Sequence, residues 1–198
     1  MNVELRWGLP EKYRLEVAAM LYDTFERKYR HTLGPRSFAI PFFATQLVPQ
    51  FALLALHDGN LVGMVAAKTT AGELLNIRFL QWLQTYRLRA LRSFIIGAPF
   101  YFEHRKPSIL TLSSLSVKPT YRGQGIGTAL VNEFLRVAKE KGYRTVHLEV
   151  INTNKRAKSL YERLGFKIVK YHKIPAPWDR WLGFSGKYDM EYVINSRK

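Results

Sequence analysis

Apolar and polar positions recur with two different periods along this chain, and the switches between them mark its elements. Val3 to Trp7 reads as a first strand. From Pro10 onward, Val17, Met20, Leu21, Thr24, Phe25 and Lys28 form a helical stripe beside a charged face, and Gly34 and Pro35 stop it near His31. Ser37 to Val48 is apolar but contains Pro41, which predicts a short irregular helix. Phe51 to Leu56 and Leu61 to Lys68 are strand-like, and the link His57-Asp58-Gly59-Asn60 predicts an antiparallel hairpin between them.

Leu74 to Arg92 carries Leu75, Phe79, Trp82, Leu83, Tyr86 and Leu91 at near-helical spacing, with Arg78, Arg87, Arg89 and Arg92 between them. Strand Ile109 to Val117, helix Gly125 to Gly142 and strand Thr145 to Val150 follow. A short helix, Ala157 to Leu164, is closed by Gly165. Phe166 to His172 and Tyr188 to Ile194 complete the strands, separated by the Pro- and Trp-rich loop Ile174 to Gly186. The order predicts an α/β fold (α+β by some schemes), a mixed and mostly antiparallel sheet of six to seven strands with helices on both faces. Only Ile109 to Val150 has the strand-helix-strand form of a parallel crossover, and a ligand is expected at that junction.

Composition narrows the chemistry. A chain of 198 residues, 47% of them hydrophobic, suits one core, so a single domain is expected over 1–198 with a helical insertion at about 74–106. The absence of Cys excludes disulfides, Cys-ligated zinc and a thiol nucleophile, and the five scattered His give no metal spacing, so no metal is expected. Glu4 and Arg6 interrupt the apolar stretch a signal peptide needs, and a mature cytoplasmic protein is expected. The apolar run Ser93 to Phe102 is too short for a bilayer, which takes about 20 residues. A net charge of +16 attracts nucleic acid, anionic membrane, acidic protein or a polyanionic cofactor, and disfavours polyamines.

Lys118-Pro119-Thr120 turns the strand ending at Val117 into Tyr121-Arg122-Gly123-Gln124-Gly125-Ile126-Gly127-Thr128. Glycines let backbone N–H groups approach a ligand, and the helix they open adds its positive dipole end, an arrangement suited to a pyrophosphate. No Lys-Ser/Thr pair follows, and the glycines alternate, so the turn is neither a P-loop nor a G-x-G-x-x-G fingerprint.

Arg122, Gly125 and Gly127, in R-x-x-G-x-G after Leu115-Ser116-Val117, resemble the acyl-CoA signature of the GNAT superfamily of N-acetyltransferases. The segment downstream, with Leu148-Glu149-Val150, Asn154, Ala157, Leu160-Tyr161 and Leu164-Gly165-Phe166, is similar to that family's second half, and nearest to the ribosomal-protein alanine N-acetyltransferases. The resemblance runs from about Ile109 to Phe166. It implies acetyl-CoA, or another acyl-CoA, as co-substrate. Backbone groups of Leu115, Ser116 and Val117 would hold the pantetheine arm. Arg122, Gly123, Gln124, Gly125, Ile126, Gly127 and Thr128 would hold the pyrophosphate, and Asn154 would touch the arm or its neighbouring loop.

Acyl transfer to an amine needs a neutral amine, a stabilised oxyanion and a proton for the thiolate. Strand alternation sends His147 and Glu149 to the face opposite Val146, Leu148 and Val150, which makes Glu149 a candidate base, with a water chain as the alternative. Tyr161 is the candidate acid toward the CoA sulfur, and backbone N–H near Val117 would hold the oxyanion if the strand bulges there.

The acceptor stays open among a small-molecule amine, an amino acid and a peptide N-terminus. From Arg78 to Lys106 six positive charges face one negative, with aromatics interleaved, so this stretch reads either as a helix covering the sheet or as a docking surface for an acidic partner or membrane. The run Phe94 to Phe102 favours docking. Nucleic acid is not expected as substrate, although a basic nucleic-acid-binding module and a catalytically silent acyl-CoA sensor are the alternatives. A monomer or a homodimer fits equally.

Overall fold

The first strand, β1 (Glu4–Trp7), pairs antiparallel with β2 (Ala52–His57), which turns back into β3 (Asn60–Thr69). The turn forms as its composition predicts: Asp58 and Gly59 both take positive φ, 49° and 73°, the twist that a two-residue hairpin requires. The computed structural model describes residues 2–86 and 106–194. A two-residue strand, β4 (Gly72–Glu73), pairs with one end of β3, and β5 (Ile109–Val117) lies antiparallel along β3. The crossover predicted downstream is present, with β6 (Thr145–Ile151) parallel to β5. The last two strands, β7 (Lys167–Lys173) and β8 (Gly186–Val193), form a hairpin in which β8 inserts against β6. The sheet order is therefore β1-β2-β3-β5-β6-β8-β7, with β4 off the path.

Seven helices are present among the described residues: α1 (Arg14–Thr24), α2 (Glu26–Thr32), α3 (Arg36–Gln46), α4 (Phe79–Tyr86), α5 (Ile126–Glu140), α6 (Lys155–Arg163) and α7 (Trp178–Leu182). The period of α5 puts Ile126, Leu130, Val131, Phe134, Val137 and Ala138 on one stripe, all buried. That stripe covers one face of the sheet, where Leu130 and Ile126 press against Gly63 and Phe134 stacks on Trp7 at 5.9 Å. Val17, Met20 and Leu21 of α1 are buried, and α1 packs against β5 from the other face.

The long helical stripe predicted after Pro10 is broken. Phe25 leaves the helical region at φ −127°, ψ 36°, and the Thr24 hydroxyl donates back to the Met20 carbonyl at 2.7 Å. The break swings α2 so that the Tyr29 ring meets Phe43 edge-on at 4.8 Å and Phe25 at 5.9 Å. Pro41 sits inside α3 without ending it, so that helix is regular over Arg36–Gln46. The loop Ile174 to Gly186 contains the short helix α7. Of the insertion expected at about 74–106, α4 is observed, and the apolar run Phe94 to Phe102 lies outside the described residues. No helix among the described residues is long and apolar enough to cross a membrane.

Candidate active site

The parallel pairing of β5 with β6 stops early. It runs from Ile109↔Thr145 to Leu112↔Leu148 and no further, although both strands continue. One residue too many on β5 is the cause: Ala67 faces Leu112 and Ala66 faces Ser114, which leaves Ser113 as a bulge. A bulge bends its strand and adds twist, so β5 veers from β6 at this point. The bulge expected beside Val117 thus lies earlier, at Ser113, and the Val117 carbonyl accepts from Arg122 Nε at 3.0 Å. Beyond Leu112 the edge of β5 that would face β6 carries no strand, which leaves backbone of Leu115, Ser116 and Val117 bordering the gap.

The glycine turn follows directly. Gly123 and Gly125 adopt φ of 83° and 84°, a left-handed conformation that side chains resist. A Cβ on Gly125 would meet nothing within 4 Å, so the space before α5 is open. Helix α5 has no side-chain cap, which leaves the first-turn N–H groups of Ile126, Gly127 and Thr128 to a ligand. An uncapped helix start behind a left-handed glycine fits a pyrophosphate. Gly127 differs from Gly125: a Cβ there would lie 3.4 Å from Leu160 and 4.0 Å from Leu115, in ordinary contact where α5 packs on α6 rather than in open space. Gln124 Nε2 donates to the Thr120 carbonyl at 3.2 Å and braces the turn. Asn154 caps α6, its side chain accepting from the Ala157 N–H at 3.1 Å.

Glu149 and Tyr161 lie on opposite faces of the sheet. Tyr161 is buried, with its ring 5.7 Å from that of Phe166, which in turn packs on Tyr192 at 5.6 Å. Tyr192 pairs with Val146, whose side chain points to the α5 face. Burial raises the Tyr161 pKa above the ordinary phenol value, so the hydroxyl holds its proton. No hydrogen-bond partner for it is found among the described residues. Leu148 and Val150 are buried on the α5 face, so Glu149 between them points to the other, where Lys187 Nζ holds its Oε1 in an ion pair. Both members of that pair are partly exposed, so it contributes about 0–1 kcal/mol and exchanges easily. The gap between β5 and β6 separates the two side chains.

The Glu149 face is densely charged. Cross-strand register aligns Glu73, Lys68, Thr111, His147, Glu191 and Lys167 in one row across five strand pairs. In the next row Glu149 faces Asp189, and His172 Nε2 lies 2.8 Å from Asp189 Oδ2. Asp189 Oδ1 is buried and has no hydrogen-bond partner among the described residues, a situation that costs about 1–3 kcal/mol. His147, Glu149 and Asp189 bring possible ligand atoms within 4.8 Å of one another, a cluster that sequence spacing hides because β8 delivers Asp189. Lys28 of α2 is half-buried, with its ammonium 5.7 Å from the Tyr29 ring centre. Burial lowers its pKa to about 8, Glu149 opposing the shift and Lys187 and Lys68 adding to it, so α2 overhangs this face. Lys28, Lys187, Asp189 and Ser114, whose buried Oγ has no hydrogen-bond partner among the described residues, were not singled out from the sequence as site residues. Only strand alternation on β8 could have pointed to Lys187 and Asp189.

Comparison with known proteins is consistent with this geometry. The model of the acetyltransferase (GNAT) family matches residues 18–166. A thialysine N-epsilon-acetyltransferase of Bos taurus is 41% identical over 68 residues, 33% of this chain and 40% of that protein. An N-alpha-acetyltransferase of Schizosaccharomyces pombe is 30% identical over 118 residues, 60% of this chain and 58% of that protein. The chain thus spans less than two thirds of either relative. A ribosomal-protein-alanine N-acetyltransferase from Brucella melitensis shares the fold with a TM-score of 0.62 at 18% identity, covering 96% of this chain and 99% of that one.

Proposed function

Because the chain belongs to the acetyltransferase (GNAT) family, we propose that it transfers an acetyl group from acetyl-CoA to a primary amine of a small molecule, an amino acid or a peptide. The observation that carries this reading is the parting of β5 from β6, which leaves a gap in the strand pairing with a buried phenol on one face and a carboxylate on the other. Acetyl-CoA supplies the activated acyl carbon and a thiolate leaving group. In this reading the first-turn amides of α5 and the backbone at Gly123 and Gly125 hold its pyrophosphate, and Arg122 braces the turn. Backbone along Leu115 to Val117 takes the arm where β6 has left it unpaired.

Glu149 accepts the proton of the acceptor ammonium, directly or through water, and Tyr161 donates its phenolic proton to sulfur. The raised pKa of Tyr161 keeps that proton in place at neutral pH. The reading keeps the cytoplasm as compartment, in line with a chain that contains no Cys.

The test has two stages. At about 100 times its Kd, acetyl-CoA should add about 2.7 kcal/mol of stability, which for a chain of this size raises Tm by roughly 5–10 °C. Thiol release against an amine panel should then identify acceptors, and Glu149→Gln should lower kcat roughly a hundredfold, the low end for a general base. A thermal shift with no thiol release against any amine would identify an acyl-CoA sensor. Salt-dependent oligonucleotide binding with no acetyl-CoA shift would identify a nucleic-acid module instead.

A further inference from the structure

Glu149 is occupied before any acceptor arrives, since Lys187 Nζ holds its Oε1. An incoming ammonium competes for the same carboxylate, and two cations at one oxygen repel each other. Strand geometry determines where Lys187 can go. Lys187 and Asp189 stand two apart on β8, so their side chains share a face at a spacing of about 7 Å. Asp189 lies directly across from Glu149. Its Oδ2 is taken up with His172, while Oδ1 is buried and unpartnered among the described residues. Glu191 is the next carboxylate along the strand, farther off and beside His147 Nδ1 at 3.7 Å. Glu149 and Asp189 bring carboxylate oxygens within 4.8 Å of each other, so a buried oxygen without a partner among the described residues lies beside the ammonium that Glu149 holds and offers it a second seat.

We propose that Lys187 is a positioning residue that guards Glu149 in the resting protein and passes to Asp189 Oδ1 when the acceptor ammonium takes its place. The inference rests on the reading of Glu149 as the base. It adds a selection rule: an acceptor must bring its own cation to displace Lys187, so amines are admitted and neutral alcohols are not.

The experiment is steady-state kinetics with the best amine from the thiol-release panel, on the wild type, Asp189→Asn, Lys187→Met and the double variant. Asp189→Asn should raise the acceptor KM at least tenfold, by more than it lowers kcat, because Lys187 loses its second seat. Lys187→Met should lower KM about threefold or more. The double variant should show the KM of Lys187→Met, since Asp189 matters only through Lys187. If Asp189→Asn raises KM equally with and without Lys187, Asp189 is merely structural and the proposal falls. Should Asp189→Asn not fold, Lys187→Met decides alone, an unchanged or higher KM overturning the guard role. Wild-type turnover in Glu149→Gln would overturn the base assignment and this proposal together, whereas turnover lost there but KM unmoved in Lys187→Met would overturn this proposal alone.

Discussion

Tyr161→Phe is expected to lower kcat by about 10²–10⁴-fold, the range for loss of a general acid, while acetyl-CoA affinity stays near that of the wild type. The substitution removes one oxygen and little else. The Tyr161 ring keeps its packing on Phe166, and the hydroxyl has no hydrogen-bond partner among the described residues whose loss would unsettle the fold. Stability should therefore change little, and calorimetric titration with acetyl-CoA separates binding from turnover. The direction of the pKa shift adds a second expectation. Burial holds the proton beyond the ordinary phenol value of about 10, so wild-type kcat should not lose its acid as the pH rises to 9. Turnover unchanged in Tyr161→Phe would remove this residue from the chemistry.

Gly125→Val is expected to abolish measurable acetyl-CoA binding, a loss above about 100-fold, and with it all turnover. Two effects add. A β-branched residue at φ 84° is strained by about 1–3 kcal/mol, and its side chain projects into the open space ahead of α5 where the phosphates would lie. Gly127→Ala is the control. Its methyl group would meet Leu160 at ordinary van der Waals distance, 3.4 Å, so it should fold and retain binding. Affinity within about threefold of wild type in Gly125→Val would move the phosphate site elsewhere.

Features legible in the sequence were those written locally. The hairpin at Asp58-Gly59, the glycine turn opening α5, and the alternation that points Glu149 away from Leu148 and Val150 each depend on a few neighbouring residues. The features that were not legible depend on register between distant segments. Ser113 is a bulge only because Ala66 and Ala67 of β3 face Ser114 and Leu112, and nothing in Leu112-Ser113-Ser114 announces it. Lys187 reaches Glu149 because β8 inserts beside β6, whereas chain order alone would have allowed β7 that place. The break at Phe25 was hidden for a related reason: the helical period runs on through Thr24, Phe25 and Lys28, and only packing of Tyr29 on Phe43 favours stopping it.

The parting of β5 from β6 interrupts the sheet, and that interruption is a slot between its two faces. With the proposed roles, donor and acceptor would approach that slot from opposite sides, and neither need leave before the other enters. With those roles both substrates would be seated together, which is the signature of sequential rather than ping-pong turnover.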